Sequence, residues 1–408
     1  MFPHIRIKDF SYPLDPGQVA AYPLAQRDRS KLLVYRHGNI HQASFYEVAD
    51  FLDRDSKLIL NNTRVVQARM VFYKTSGARI ELFCLEPLQP ATDVQCSLGL
   101  SSPVVWRCMV GNAKKWKAGE LCLHVEPDGG QSQHFLLRAE NIKKEGDEYH
   151  IRFSWDPAEL SFAHILDHAG VTPLPPYINR DSEPADKTTY QTIFARNEGS
   201  VAAPTAGLHF TDEVFEALSR KNIHTHHLTL HVGAGTFKPV STDTIDGHKM
   251  HSEQFHADRQ LITALLGHQG QVTSVGTTSM RTLESLYWIG ANLLHGYIPD
   301  TDYMVLEQWT PYRFKDSPPS KDEALHAILR WMDQRETNIL NGETSLIIVP
   351  GYSFQMVDAL ITNFHQPRST LLLLVAAFAG PGWRDAYQYA LEHDFRFLSY
   401  GDSCLFFR

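Results

Sequence analysis

The stretch Val272-Thr-Ser-Val-Gly-Thr-Thr-Ser-Met-Arg-Thr-Leu-Glu284 joins a short strand to a helix through a single glycine. Residues 272–275 form a compact run with β-branched ends, and Gly276 marks the turn. From Thr277 to Leu294 the apolar residues recur at helical spacing. A strand that turns tightly into a helix is the repeating unit of an α/β fold.

The same pattern occurs earlier, at Val201-Ala-Ala-Pro-Thr-Ala-Gly-Leu-His-Phe-Thr211. Here a strand and a Pro/Gly turn precede a helix over 212–221, with Thr211 as its N-cap. Further strands are expected at residues 57–60, 228–232, 346–349 and 396–400, and a hairpin at 31–45. This alternation predicts an α/β fold for the second half of the chain and for the N-terminal hairpin.

Between Arg64 and Trp155 the signals are all β. Short alternating runs are separated by turn residues such as Ser76-Gly77 and Asp128-Gly129-Gly130. We therefore predict a multidomain α/β protein in which residues 65–155 form an inserted antiparallel β-barrel. Residues 1–64 and 156–408 form the discontinuous α/β catalytic domain. Residues 295–344 are expected to be an excursion from it, with a capping box at Ser320 and Glu323.

Composition excludes several classes of protein. The chain has 408 residues, 43% hydrophobic and 21% charged, with a formal net charge of −8. These values argue against a disordered chain and against a protein that binds polyanions by bulk charge, but they allow a local basic face. The five cysteines form no CxxC pair, and no signal peptide or membrane-length apolar run is present. We expect a soluble cytoplasmic protein that does not contact a membrane.

Both strand-to-helix turns are candidate binding sites, because a helix N-terminus presents free N–H groups to an anion. Thr205, Gly207 and His209 lie at the first turn. At the second, N-capping explains one hydroxyl but not the three of Thr277, Thr278 and Ser279. Ordinary structural turns remain the alternative for both.

The chain offers no strong metal motif, although it contains 21 histidines. His227 and His231 follow a strand pattern, in which positions i and i+4 lie about 13 Å apart. The glycines of Gly233-Ala-Gly235 lack the remaining glycine of a dinucleotide fingerprint. Single histidines acting as acids or bases are the better hypothesis, and we expect no bound metal.

Together these motifs resemble one family, the S-adenosylmethionine:tRNA ribosyltransferase-isomerases of queuosine biosynthesis. The resemblance runs from about Phe10 to the C-terminus. It is carried by Tyr22–Leu33, Asn61–Arg64, Pro173–Ile178, Tyr190–Thr192, Ala202–Thr211, Thr229–Phe237, His248–Glu253, Val275–Ser285, Pro350–Tyr352, Val357–Leu374 and Phe395–Asp402. The chain departs from the family pattern at Asn62 and Gln67, where Asp and Pro are usual, and at Gln366-Pro-Arg368.

The resemblance implies that S-adenosylmethionine is a co-substrate and donates its ribosyl group, with no prosthetic group involved. The acceptor is the aminomethyl group of a 7-deazaguanine in the tRNA anticodon. The products are epoxyqueuosine in tRNA, adenine and methionine. A related transferase that uses another acceptor is the alternative, and a non-catalytic RNA-binding relative is a weaker one.

The implied site draws on all of these motifs. The acid–base candidates are His209, His231 and His365. The candidates for the S-adenosylmethionine cleft are Thr205, Gly207, Phe210, Gly235, Thr236, Phe237, Gly276, Thr277, Thr278, Ser279, Arg281, Glu284, Asn363 and Asp402. The expected tRNA contacts are Arg27, Arg29, Lys31 and Arg64, helped by Lys114, Lys115 and Lys117, because phosphate binding needs local cations. We expect a monomer.

Overall fold

The computed structural model describes residues 4–117, 119–126, 134–233, 240–314 and 318–408. Its strands are β1 (Lys31–Arg36), β2 (Asn39–Ser44), β3 (Lys57–Asn61), β4 (Thr63–Val65), β5 (Arg69–Tyr73), β6 (Arg79–Gln89), β7 (Val104–Gly111), β8 (Leu121–Val125), β9 (Phe135–Glu145), β10 (Glu148–Asp156), β11 (Gly170–Val171), β12 (Asn197–Ser200), β13 (His224–Leu230), β14 (Glu253–Asp258), β15 (Val272–Val275), β16 (Tyr303–Leu306), β17 (Ile339–Thr344), β18 (Ala359–Asn363) and β19 (Ser403–Phe407).

The α-helices are α1 (Val48–Phe51), α2 (Val94–Leu98), α3 (Phe162–Ala169), α4 (Asp186–Thr189), α5 (Asp212–Arg220), α6 (Arg259–Leu265), α7 (Gly276–Leu294), α8 (Thr310–Arg313), α9 (Lys321–Gln334), α10 (Thr370–Ala379) and α11 (Trp383–Glu392). None of the helices in these described ranges combines the length and apolarity that crossing a membrane requires.

A large mixed sheet organises the α/β part, in the order β16-β17-β14-β13-β3-β15-β18-β19-β1-β2. Strands β13, β3, β15 and β18 at its centre run parallel to one another. Their carboxyl ends therefore meet at one edge of the sheet, which is where open α/β sheets bind ligands. The amino ends of β19 and β1 reach the same edge, since β19 is antiparallel to β18 and parallel to β1.

Two cores cover the faces of this sheet. The side chains of β3 alternate between them: Ile59 enters the core formed with α7, whereas Leu58 and Leu60 enter the core formed with α5. Helix α7 lies across the central strands and under α9. Nearly all of its residues up to Ala291 are buried, so it is a core helix rather than an amphipathic surface helix.

Residues 295–344, predicted as an excursion, contribute to the large sheet and to the layer that covers it. Strands β16 and β17 extend the large sheet beyond β14, and α9 packs on α7. The predicted capping box is confirmed: Glu323 N donates to Ser320 Oγ, and Ser320 N donates to Glu323 Oε2 at 2.8 Å. The polar composition of this segment reflects its position at the edge of the sheet.

The inserted β region is a curled seven-stranded antiparallel sheet, in the order β11-β5-β6-β7-β10-β9-β8. The expected barrel is only partly closed, because no ladder joins β8 to β11 in the described ranges. Helix α3 packs against both β5 and β8 and inserts Phe162 among Trp106, Phe153 and Trp155. Strands β5 and β8 also contact each other without forming a ladder. The division of the chain into domains stays a prediction.

Three strand predictions are wrong. A strand was expected from Val201 onward, but the observed strand, β12, lies just before it and ends at Ser200. Residues 346–349 are buried and extended but lie outside any ladder, because β17 ends at Thr344. Residues 396–400 form a turn, in which Leu398 has φ +68°, and the last strand begins at Ser403. Apolar runs of this kind indicate that the residues are buried. A buried segment need not pair with a neighbouring strand, so burial alone does not predict a β-strand.

We predict that Gly290→Ala destabilises the protein although alanine is the better helix former. A Cβ at Gly290 would lie 2.2 Å from the carbonyl oxygen of Ala324, so α7 and α9 would have to separate. Overpacking of this kind costs about 1–3 kcal/mol. Urea denaturation should show this loss in the free energy of unfolding. Because the obstacle is backbone, adding Ala324→Gly should not restore stability; restoration would show that the side chain was the obstacle.

Candidate functional site

A cleft opens at the carboxyl edge of the large sheet. Segments from separate parts of the chain meet there: the start of α7, the residues after β18, and the 3₁₀ helix Thr205–His209. Six of the residues proposed from sequence line it, namely Thr205, Gly276, Thr277, Thr278, Asn363 and His365. The wall is mostly apolar with a few polar groups, as in small-molecule sites.

The N-terminus of α7 forms one wall of the cleft. Gly276 has φ +87°, which a residue with a side chain adopts only at a cost, so the turn from β15 into the helix depends on glycine. The N-cap is Val275, whose side chain has no atom that could accept from the first N–H groups. In the described part of the chain, the buried Thr278 Oγ1 also has no hydrogen-bond partner. Free N–H groups and a positive helix end suit a carboxylate or phosphate.

A chain of hydrogen bonds leads from the cleft into the protein. Thr205 Oγ1 donates to Asn363 Oδ1 at 2.7 Å, and Asn363 Nδ2 lies 3.3 Å from His209 Nε2. His209 Nδ1 lies 2.8 Å from Ser30 Oγ. His209 is buried, and desolvation lowers its pKa to about 3, so its ring is neutral at neutral pH. His209 itself does not line the cleft.

His365 lies in the cleft wall just after β18. Its Nε2 is 2.8 Å from Thr362 Oγ1, its backbone N–H donates to the hydroxyl of Tyr387, and the hydroxyl of Tyr12 donates to its carbonyl. Burial lowers its pKa to about 3. The ring is therefore held in place and is neutral at neutral pH.

His231 lies away from the cleft, although Val232 beside it lines the wall. Its Nδ1 is 3.0 Å from Thr63 Oγ1, and its ring centroid is 5.5 Å from that of His256. Burial, with His256 nearby, lowers its pKa to about 3. Within the described residues, no group of three or more His, Cys, Asp or Glu side chains is placed to hold a metal ion.

Several predicted cleft residues have structural roles instead. Phe210 is fully buried among Phe45, Phe194 and Phe215 and does not line the cleft. Gly207 lies beneath the wall, where a Cβ would meet the ring of Phe194 at 2.7 Å. Ser279 is buried below the cleft wall. The predicted residues Gly235, Thr236 and Phe237 lie outside the described residues.

The charged candidates are also paired within the protein. Arg281 forms a buried ion pair with Glu253 at 2.7 Å. Glu284 accepts from the hydroxyl of Tyr352 and from two backbone N–H groups, and burial raises its pKa. Asp402 accepts from the backbone N–H groups at the start of β1 and at residue 396. None of these three residues lines the cleft.

Sequence analysis missed a further part of the wall, formed by Tyr177, Leu398 and Ser399. The Tyr177 hydroxyl and Ser399 Oγ are 2.7 Å apart, which joins two distant segments across the cleft. The signal was present, because both segments belong to strings that carried the family resemblance. Only the tertiary fold shows that they face the ligand side.

The cations expected at tRNA do not form one free patch. The guanidinium of Arg27 donates to two backbone carbonyls near the end of α4, at 2.7 and 3.0 Å. Lys31 Nζ donates to two backbone carbonyls just after α11, at 2.7 and 2.9 Å. Arg29 is exposed and lies over the ring of Tyr46. Arg64 is exposed as well, as are Lys114, Lys115 and Lys117.

The fold and the cleft define a class, an α/β protein with a small-molecule cleft at the carboxyl edge of its sheet. A family model described as "Queuosine biosynthesis protein" matches residues 7–406. The chain belongs to this family, as the sequence motifs predicted.

Named relatives cover almost the whole chain. It is 36% identical over 406 residues to the S-adenosylmethionine:tRNA ribosyltransferase-isomerase of Magnetococcus marinus, covering 98% of this chain and 94% of the relative. It is 35% identical over 405 residues to the enzyme of the same name from Chlorobaculum parvum, with 98% and 99% covered. Among solved structures it resembles S-adenosylmethionine tRNA ribosyltransferase from Thermotoga maritima, at 26% identity, 98% and 99% coverage and a TM-score of 0.45.

We predict that His231 makes the protein less stable as the pH falls. Its pKa is about 3 in the folded state and about 6.5 in an unfolded chain. Between these values the unfolded state binds one more proton, so stability is lost as the pH drops below about 6.5. Between about pH 7 and pH 5 this loss amounts to about 2 kcal/mol.

His231→Gln should therefore flatten the dependence of the unfolding free energy on pH by about that amount. Chemical denaturation at a series of pH values measures the slope, whatever the overall stability of the variant. Substitution of the exposed His124 by Gln is the matched control. Equal slopes for wild type and His231→Gln would contradict the assignment of a neutral buried ring.

Proposed function

We propose that this chain is an S-adenosylmethionine:tRNA ribosyltransferase-isomerase, and that the cleft at the carboxyl edge binds S-adenosylmethionine. The observation that carries the proposal is convergence. Segments of family-matching sequence around Thr205, Gly276 and Asn363 are far apart in the chain, yet all line one cleft. The named relatives support the same activity.

The donor is oriented by its charged end. We place the methionine carboxylate of S-adenosylmethionine at the N-terminus of α7, where Thr277 and Thr278 line the cleft and no side chain caps the first N–H groups. The positive end of a helix is worth about 0.3–1 kcal/mol to an anion, and more where the site is partly buried.

The proton transfers are assigned to His365. The reaction begins with removal of a proton from the ribose carbon next to the sulfonium, so it needs a neutral base in the cleft. Of the three candidate histidines, His365 lines the cleft while His209 and His231 are buried behind its walls. The proton taken by the ring can be returned to a later intermediate by the same nitrogen.

The tRNA acceptor is proposed to approach from the same edge of the sheet. Arg29 precedes β1 and Arg64 follows β3, so both lie at the edge where the cleft opens. Because the whole chain carries a net charge of −8, binding must depend on a few local cations such as these.

The activity can be tested directly. Purified protein is incubated with S-adenosylmethionine and with tRNA whose anticodon carries the aminomethyl-deazaguanine. Mass spectrometry of the digested tRNA should show the epoxycyclopentane adduct, with adenine and methionine released in equal amounts. tRNA carrying unmodified guanine at that position is the control. Release of adenine without an adduct on tRNA would favour the related transferase with a different acceptor.

We predict that Gly276→Ala weakens S-adenosylmethionine binding. Its φ of +87° costs a side-chain residue about 1–2 kcal/mol, and relief of that strain would rotate the first N–H groups of α7 away from the cleft. Gly38→Ala is a matched control, because Gly38 has φ +82° in the β1–β2 turn and room for a Cβ. Both variants should lose similar stability, while calorimetry should show weaker binding for Gly276→Ala alone. Equal affinities in the two variants would move the carboxylate site elsewhere.

We predict that Arg29→Ala combined with Arg64→Ala makes tRNA binding less dependent on salt. Each phosphate contact contributes about −0.7 to −0.9 to the log–log slope of affinity against salt, so the slope should change by about 1.4 to 1.8. Arg54→Ala combined with Arg220→Ala removes two exposed cations at the opposite edge of the sheet and should leave the slope unchanged. Filter binding over a range of salt concentrations measures both. The assignment fails if the two double variants give the same slope.

A further inference from the structure

In the amide orientation that the structure gives Asn363, the hydrogen-bond chain from the cleft to Ser30 has one direction. An amide nitrogen of asparagine can only donate, so His209 Nε2 must accept from Asn363 Nδ2 across their 3.3 Å contact. In a neutral ring the other nitrogen then carries the proton, and Nδ1–H donates to Ser30 Oγ.

The hydrogen bond between Thr205 and Asn363 extends the same donor-to-acceptor order to the cleft. Asn363 Oδ1 can only accept, so the hydroxyl hydrogen of Thr205 is committed to it at 2.7 Å. The lone pairs of Thr205 Oγ1 are then what this residue offers to the cleft it lines. Asn363 and His209 are buried, so water does not compete for these bonds.

We propose that Thr205 is an obligate hydrogen-bond acceptor that binds the α-ammonium group of the amino-acid end of the donor, and that His209 and Asn363 are positioning residues which hold it in that state. The proposal rests on the proposed function, in which S-adenosylmethionine occupies this cleft.

Geometry favours the ammonium over the other donor groups of the ligand. A Cβ at Gly276 would lie 3.8 Å from the Cβ of Ala206, so the segment that carries Thr205 packs against the start of α7. The carboxylate is proposed to bind at that helix start, and the ammonium is attached to the same carbon atom. An ammonium group donates and never accepts, so it matches a hydroxyl whose own hydrogen is already used.

The ligand test is a comparison of two ligands on three proteins. Calorimetry measures S-adenosylmethionine and its deaminated analogue, in which hydrogen replaces the α-ammonium, binding to wild type, Thr205→Val and Thr205→Ser. A hydrogen bond to a charged group makes wild type prefer S-adenosylmethionine by about tenfold to a hundredfold. Thr205→Ser should keep this preference, and Thr205→Val should lose it.

The outcomes separate the two proposals. If wild type does not bind S-adenosylmethionine, with or without tRNA, the proposed function fails. If wild type binds it but binds the analogue equally well, or if Thr205→Val keeps the preference, the function stands and the role of Thr205 is overturned.

The positioning role has its own readout. His209→Leu should raise KM for S-adenosylmethionine by about tenfold and change kcat by less than about threefold, since only the orientation of a binding group is lost. His209→Gln should restore KM, because a glutamine amide can accept from Asn363 and donate to Ser30. A fall in kcat with unchanged KM, or no rescue by glutamine, would show that His209 acts in some other way.

Discussion

The parallel register of β13, β3, β15 and β18 is the constraint on which the rest of the structure depends. It brings the exits of these strands to a single edge, so that segments distant in sequence meet without long loops. Beyond the ladder the buried side chain of Asn61 continues the pairing. It donates to the carbonyl of Leu230 and accepts from the N–H groups of Leu230 and Thr63. The side-chain amide of Asn61 thus makes hydrogen bonds like those between paired strands, and it keeps β3 and β13 aligned up to the cleft.

Two of the departures from the family pattern, Asn62 and Gln67, lie in internal hydrogen bonds, whereas Gln366 of the third departure lines the cleft. Asn62 Oδ1 accepts from Thr229 Oγ1 at 2.7 Å and from Asn197 Nδ2 at 3.2 Å. Gln67 Oε1 accepts from Thr172 Oγ1 at 3.0 Å. Neither residue lines the cleft. Both substitutions are therefore accommodated by internal hydrogen bonds, and neither changes the group that would meet the donor.

Local chemistry made much of the fold predictable. The β15–α7 unit, the cap at Thr211 and the capping box at Ser320 depend on neighbours in sequence, and all three are present. The place of β16 and β17 in the large sheet, and the packing of α3 against β5 and β8, depend on contacts between segments that are distant in sequence. Sequence could name Arg27, Lys31 and Arg281 as cations. It could not show that backbone carbonyls or Glu253 already satisfy them.

Backbone conformations that cost energy occur at the cleft and beside it. Gly276 has φ +87°, and two residues with side chains, Arg368 and Leu398, have φ of +60° and +68°. Leu398 is held there because its N–H donates to the carbonyl of Phe364 and its own carbonyl accepts from Gly401. Such a conformation costs about 1–3 kcal/mol per residue, and it persists only where many surrounding contacts hold the backbone in place. The rigid central sheet provides those surroundings, and the walls of the cleft are thereby shaped before a ligand arrives.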